Sequence, residues 1–381
     1  MRRACESFST NTWWLDENAN SMTENPIRLL IVDDSALYRQ MIRNVLREVP
    51  DVTIVGVARD GMDALRMMEE LDPDLLTLDV QMPDMDGIQV LREINRRRLR
   101  SKAIMISSLT SQGAQVTTDA LLEGAFDFIL KPVGKDPADS RKRLYDALEE
   151  KIGAFRQTLA SGRQRIRAIG AMPPRTILPQ QKTTSSTVCR AVIIATSTGG
   201  PAALKQVLPT LPAELPVPVM VVQHMPPKYT RSLAHRLDEI CPLQVAEAAN
   251  GAAVKAGSVL IAPGGRQMKL NNRNERVQVQ ITDDDAEHGC RPSADYLIRS
   301  AIEIFRGQIL VVIMTGMGRD GFEGCRLLKE TDGSIFAQHP HGCVVYGMPK
   351  VVIDHGIADR VLPLGRIGPA IVAHVKRSSS A

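Results

Sequence analysis

Two sets of residues in this 381-residue chain have the types and spacing to do chemistry. The first is Asp33-Asp34, Asp79, Ser107-Ser108 and Lys131, each placed where a short apolar run ends. Three carboxylates meeting at one edge repel unless a cation joins them, and a hard, oxygen-seeking ion such as Mg²⁺ fits that donor set best. The same ion neutralises an incoming phosphoryl group, which leaves Asp79 as the nucleophile that forms an acyl phosphate. Lys131 can contact one phosphoryl oxygen and the Ser107 hydroxyl another.

The second set lies in the other half of the chain. Val192-Ile193-Ile194-Ala195-Thr196-Ser197-Thr198-Gly199-Gly200-Pro201 reads as a strand entering a helix through small residues, with Pro201 suited to a first helical position. Ser197 then stands beside free turn amides, where a developing negative charge is stabilised. Taken alone, such a turn equally suits phosphate binding at a helix N-terminus. A second apolar run ends in Gln223-His224-Met225-Pro226-Pro227, so His224 can reach Ser197 as a general base. A third ends in Thr315-Gly316-Met317-Gly318-Arg319-Asp320-Gly321, where glycines allow close approach and Asp320 can orient His224. The order Ser, His, Asp matches none of three familiar triads, but geometry, not order, defines a triad. An unperturbed imidazole near pKa about 6.5 predicts activity that falls on acidification through that region.

The elements that must position these groups alternate strand and helix. Strands are expected at 27–32, 52–57, 75–78, 103–107 and 126–130. Helices are expected from Ser35 (as N-cap) to about Val49, at 60–71, after the loop Met82–Gly87, and over about 138–158. Residues 159–188 lose the pattern and have linker composition, with Pro173-Pro174, Pro179 and a run of threonines and serines. A second series places strands near 191–196, 217–222, 258–262, 276–281, 308–314, 333–337 and 343–346. Such alternation implies α/β units with parallel sheets covered on both faces, where functional residues gather at strand carboxyl ends.

Composition narrows the function. Apolar content of 44% and charge of 24% are ordinary globular values. A net charge of +4 and a single dense basic run, Arg96-Arg97-Arg98 with Arg100 and Lys102, read as a solvated helix end and not a nucleic-acid surface. Six separated cysteines, with no Cys-x-x-Cys pair, suggest a reducing compartment and no disulfide framework. No run of about eighteen apolar residues suggests a membrane span. The first 25 residues do not read as a signal peptide, and Met22 is a plausible alternative start to Met1. A rival reading gives the second half a non-catalytic binding output, but a helix-turn-helix needs a basic recognition helix that this half lacks.

The first set, with Lys131-Pro132, resembles the receiver domain of two-component response regulators over about 27–145. That resemblance implies phosphorylation of Asp79, Mg²⁺ held by Asp34, Asp79 and the Gln81 carbonyl with Asp33 nearby, and an aromatic switch at Phe128. The second half carries Ser197-Thr198-Gly199-Gly200, Gln223-His224-Met225-Pro226, Ile261-Ala262-Pro263-Gly264-Gly265 and Arg291-Pro292-Ser293-Ala294-Asp295. It also carries Thr315 to Gly321 and Val344-Val345-Tyr346-Gly347-Met348-Pro349. In order and in full over about 190–375, these motifs resemble the chemotaxis protein-glutamate methylesterases of the CheB type.

The CheB resemblance implies a Ser197–His224–Asp320 triad, with Thr198 beside the nucleophile and the Met317 amide in the oxyanion hole. It implies hydrolysis of glutamate γ-methyl esters on chemoreceptors, with glutamine deamidation as a second activity and no cofactor in the hydrolase site. Phosphoryl groups would come from the chemotaxis histidine kinase. The expected architecture is a flavodoxin-like receiver and a Rossmann-like methylesterase domain, both doubly wound, joined by a linker. Its divisions are an extension (1–25), receiver (26–145), helix end and linker (146–188), methylesterase domain (189–376) and tail (377–381). A cytoplasmic monomer without membrane insertion is expected. Two departures stand out: Ala195-Thr196 replaces the family's common Gly-Ala, and 338–343, with His339 and His341, replaces a more acidic run. The two histidines invite a metal reading but lack a nearby carboxylate or cysteine partner set.

Overall fold

The computed structural model describes residues 26–108, 110–132, 136–168 and 188–379, the side chains of 160–168 and 378–379 excepted. The expected N-terminal extension with Met22, most of the linker and the end of the tail lie outside the described residues.

The first half is a five-stranded parallel sheet built from β1 (Ile27–Val32), β2 (Val52–Ala58), β3 (Leu75–Asp79), β4 (Lys102–Ser107) and β5 (Asp127–Leu130). The strand order β2-β1-β3-β4-β5 is doubly wound and flavodoxin-like. Its strands are apolar along both faces because helices cover both: α1 (Ala36–Leu46), α2 (Gly61–Leu71), α3 (Gly87–Arg97), α4 (Ser111–Leu122) and α5 (Pro137–Ala168). Local chemistry starts these helices. Ser35 accepts from the Tyr38 amide at the head of α1, and Asp86 with Gln89 forms a reciprocal capping box at the head of α3. Helix α5 runs about ten residues beyond the expected 158, through polar positions with little apolar signal.

The second half holds a seven-stranded parallel sheet in the order β14-β13-β12-β6-β7-β9-β8. Its strands are β6 (Ala191–Thr196), β7 (Val219–Gln223), β8 (Gln244–Glu247), β9 (Ser258–Ile261), β12 (Ile309–Ile313), β13 (Ser334–Gln338) and β14 (Arg360–Leu362). An antiparallel hairpin, β10 (Gln267–Arg273) with β11 (Arg276–Thr282), stands apart from it. The covering helices are α6 (Gly200–Val207), α7 (Tyr229–Asp238), α8 (Ala294–Phe305), α9 (Phe322–Leu328), α10 (Met348–Asp354) and α11 (Leu364–Ser379).

The strand expected at 343–346 is a loop. Val345 is buried, and its amide and carbonyl hydrogen-bond to the Thr315 hydroxyl instead of a full strand partner. One isolated bridge joins Tyr346 to Gly316.

The two halves share a buried seam. One apolar cluster runs from Leu121 and Phe128 of the first half into Ala203, Leu204, Tyr229 and Ala234 of the second. Another packs Val345 against the α5 side of the first sheet, with Phe126, Leu148 and Phe155.

Candidate active site

In each sheet the strand order reverses at one point, and loops there diverge to leave a crevice. In the first sheet this point lies between β1 and β3. Asp33 and Asp34 follow β1, Asp79 ends β3, and oxygens of the three lie within 4.8 Å of one another. Lys131, just past β5, places its Nζ 2.6 Å from Asp79 and 3.1 Å from Asp33. Burial pushes the Asp79 carboxyl up to about 6; Lys131 pulls against that shift, and the neighbouring Asp33 adds to it. Asp33 Oδ2 is buried, with the Lys131 ammonium 3.1 Å away as its charged neighbour. Three carboxylates converging within 4.8 Å, with Lys131 as their one close cation, form a hard oxygen donor set that fits Mg²⁺. Gln81 is exposed at the rim, its amide 3.4 Å from Asp79 Oδ1.

Ser107 and Phe128 do not face that carboxylate cluster. The Ser107 hydroxyl accepts from Thr117 at 2.6 Å and lies 3.2 Å from the Tyr229 hydroxyl of the second half. Phe128 stacks on the Tyr229 ring, centroids 4.6 Å apart. Sequence reading missed Tyr229, whose fully buried phenol makes both contacts.

In the second sheet, β6 lies at the centre between β12 and β7. Ser197 leaves β6 half-buried, its amide bonded to the Thr315 carbonyl. Gly199 takes φ +76° to start α6, a conformation that costs glycine little. Gly316 approaches so closely that a Cβ there would sit 2.7 Å from the Ser197 Cβ. Thr196, one of the two departures behind the serine, bonds the Gln223 side-chain oxygen. The Gln223 amide in turn donates to the carbonyls of Ser197 and His224, tying the two loops together. Gln223 is a supporting residue that strand-end reasoning overlooked.

His224 follows β7, and its Nε2 lies 2.7 Å from Asp320 Oδ2. Among the described residues Asp320 is the best-served carboxylate. Its oxygens also receive the Ser293 hydroxyl and the amides of Ala294, Asp295 and Gly321. The Ala294 and Asp295 amides belong to the first turn of α8, whose positive end favours an anion. Burial alone would raise the Asp320 carboxyl, but His224 and these amides outweigh it and hold it below the usual carboxylate range. For His224, burial works to lower the imidazole, yet Asp320 and the adjacent Cys290 thiol prevail and raise it to about 9. This corrects the expectation of a base titrating near its unperturbed value. The other ring nitrogen, Nδ1, lies 3.8 Å from Cys290 Sγ.

Thr198 is buried, and its hydroxyl donates to Asp127 of β5 at 2.5 Å. Lys151 of α5 lies 3.2 Å from the same carboxylate oxygen. Met317 is half-buried in the loop between β12 and Asp320, and its amide makes no hydrogen bond among the described residues. Asp127, Lys131, Arg143 and Lys151 of the first half and Ser197, Thr198 and His224 of the second line one cavity of about 410 Å³. The structure therefore brings Ser197, His224, Thr198 and Asp320 to one place and walls it with β5 and α5 of the receiver-like half.

Other sequence signals resolve into local structure. His339 and His341 stack with centroids 5.1 Å apart in a short turn. The basic run is matched by acids: Arg96 and Arg97 pair with Glu93, and Arg100 with Asp72. No helix among the described residues is long and apolar enough to cross a membrane.

Comparison with known proteins joins the two sites. A family model described as CheB methylesterase matches residues 192–371, and one described as response regulator receiver domain matches 29–143. A protein-glutamate methylesterase/protein-glutamine glutaminase of Desulfotalea psychrophila is 42% identical over 359 residues, covering 92% of this chain and 99% of its own. A protein of the same description from Thermotoga maritima is 39% identical over 357 residues, with 92% and 99% covered. With a receiver sheet in front, a serine, histidine and aspartate gathered behind it, and relatives that match along nearly their whole length, the chain belongs to the CheB family of protein-glutamate methylesterases.

Proposed function

We propose that this enzyme hydrolyses glutamate γ-methyl esters on chemotaxis receptors through Ser197, His224 and Asp320, and that its receiver holds that site closed until Asp79 is phosphorylated. Asp320 binds the Nε2 proton and leaves Nδ1 as the acceptor of the Ser197 proton. Ser197 Oγ then attacks the ester carbon. The amide of Met317 and the turn around Thr198 stabilise the oxyanion. Methanol leaves with the proton from Nδ1, and a water activated by the same nitrogen releases the free glutamate carboxylate. Deamidation of glutamine follows the same path with ammonia leaving.

The observation that carries the regulatory half is the double clasp between domains. On one side Asp127, backed by Lys151, holds the hydroxyl of Thr198 beside the nucleophile. On the other, Phe128 and Ser107, the two switch positions, both grip Tyr229. A receptor helix is about 10–12 Å across with its side chains, and β5 and α5 stand in its path to Ser197. Asp33, Asp34, Asp79 and the Gln81 carbonyl would hold Mg²⁺, which would supply the positive charge that phosphorylation of Asp79 requires. An acyl phosphate there recruits the Ser107 hydroxyl, which must leave Tyr229, and the clasp loosens. The phosphodonor is the chemotaxis histidine kinase, and the enzyme works as a cytoplasmic monomer.

The test is methanol release from methylated receptor cytoplasmic fragments by the full chain. Phosphodonor with Mg²⁺ raises the rate about 5- to 150-fold, the scale of a 1–3 kcal/mol coupling. An Asp79→Asn chain stays at the basal rate. Equal stimulation of that variant would end the proposal for Asp79, and no methanol release at all would end the esterase reading for these receptors.

A further inference from the structure

His224 spends only one ring nitrogen on Asp320. That carboxylate accepts four other hydrogen bonds and stays an anion, so the ring proton is held at Nε2 and the lone pair of the neutral ring lies on Nδ1. Facing Nδ1 at 3.8 Å is the sulfur of Cys290. A tight turn puts it there: Glu287 and Cys290 exchange backbone hydrogen bonds just before Ser293 caps α8. One donor atom from each of His224, Cys290 and Asp320 falls within 4.8 Å of the others.

A carboxylate that fixes the far nitrogen of a histidine while the near one points to a metal is the usual support of protein-bound zinc. With Zn–N of about 2.0 Å and Zn–S of about 2.3 Å, a tetrahedral ion spans an N···S distance of about 3.5 Å. The observed 3.8 Å closes to that value with a movement of a few tenths of an ångström. Both donors are half-buried and His224 lines the cavity, which leaves room for water to complete the coordination. A thiolate paired with imidazole selects a borderline-soft ion over the hard Mg²⁺ that suits the receiver's oxygen donors.

We propose that His224 Nδ1 and the Cys290 thiolate form a reversible binding site for a borderline-soft divalent cation such as Zn²⁺, and that its occupancy shuts off the esterase. On binding, the Cys290 S–H proton leaves to solvent as the sulfur–metal bond forms, and below pH about 9 the Nδ1 proton of the imidazolium leaves as well, freeing the lone pair that enters the second bond. No lone pair then remains to take the Ser197 proton. The inhibition rests on the reading of His224 as the base; the binding does not.

The two halves are separated by experiment. The full chain, held in excess Mg²⁺ to occupy the oxygen site, is titrated with Co²⁺ as a coloured stand-in. A thiolate-to-cobalt charge-transfer band is expected, displaced by Zn²⁺, absent in Cys290→Ala and retained in Cys343→Ser. A band that is missing from the parent chain, or that survives in Cys290→Ala, overturns the site. Methanol release is then followed with Zn²⁺ alone and after chelation, each variant against its own zinc-free rate. At least tenfold lower sensitivity to Zn²⁺ is expected for Cys290→Ser than for the parent. Zinc that binds without slowing the parent overturns the inhibitory role and with it the placement of the base at Nδ1.

Discussion

Asp79 and Asp320 both serve parallel sheets near a point where strand order reverses, and both are almost fully buried, at 3% and 2% exposed. Their surroundings are opposite. Asp79 has Lys131 and a distant amide as partners, beside a second carboxylate, and burial drives its pKa up to about 6. Asp320 is filled by a serine hydroxyl, three backbone amides and His224, which hold it low against its burial. The receiver carboxylates have one lysine between them and no ring of backbone donors, an arrangement that suits the cation and phosphoryl group proposed above. The hydrolase carboxylate has its lone pairs closed by fixed donors, an arrangement that suits the proposed role of an anion orienting one imidazole. The same residue type is tuned to opposite ends by how many donors the backbone supplies.

The comparison can be broken most severely at the nucleophile. Ser197→Ala is expected to lower methanol release by about 10⁴-fold or more with unchanged circular dichroism; near-normal turnover would leave Asp320 with no triad to serve. Asp320→Asn is expected to lose about 10³- to 10⁴-fold, because the amide NH₂ can donate to Nε2 and so favours the tautomer with the ring proton on Nδ1. An Asn variant within tenfold of the parent would show that the filled carboxylate does not orient the base.

Acid should separate the two sites. His224 must be neutral to act, and its pKa is about 9, so turnover by the unphosphorylated chain should still climb about tenfold per pH unit from 7 to 8 and level off beyond 9. Asp79 must be ionised to attack, and its pKa is about 6, so the rate of phosphorylation should be level above that value and fall below it. Added Mg²⁺ should move the second midpoint down and leave the first in place. Coincident midpoints would erase the distinction.

The smallest effect concerns the wall between the sites. Asp127→Ala removes the carboxylate that grips Thr198 and should raise the basal rate about 10- to 150-fold, the equivalent of roughly 1.5–3 kcal/mol for a charged hydrogen bond. A basal rate unchanged in that variant, with phosphodonor still stimulating, would place the brake at Tyr229 and not at Thr198.

Much of this was legible in the chain because it is local. Apolar runs set where strands stop, so Asp33, Asp79, Lys131, Ser197 and His224 could be placed at carboxyl ends from their neighbours alone. Ser35 was readable as a cap because its partner, Tyr38, is three residues away. Where a segment's partner was distant, reading failed. Val344-Val345 looks like a strand by its apolarity, yet its hydrogen bonds are shared among the Thr315 and Thr158 hydroxyls and one amide, that of Gly316. The strands β8, β10 and β14 went unseen because polar residues interrupt them at sheet edges or in a separate hairpin.

The sequence by itself determined which chemistries are present: carboxylates and a lysine at one set of strand ends, a serine, histidine and aspartate at another. Strand length and helix caps are settled within a few residues, so they survive translation into linear text. Only the tertiary structure decided that Asp127 would hold Thr198, that Phe128 and Ser107 would share Tyr229, that Cys290 would face Nδ1, and that His224 would titrate near 9. Those outcomes depend on burial and on partners up to 122 residues away along the chain. Docking and pKa are sums over everything that surrounds a group, and no local pattern carries that sum.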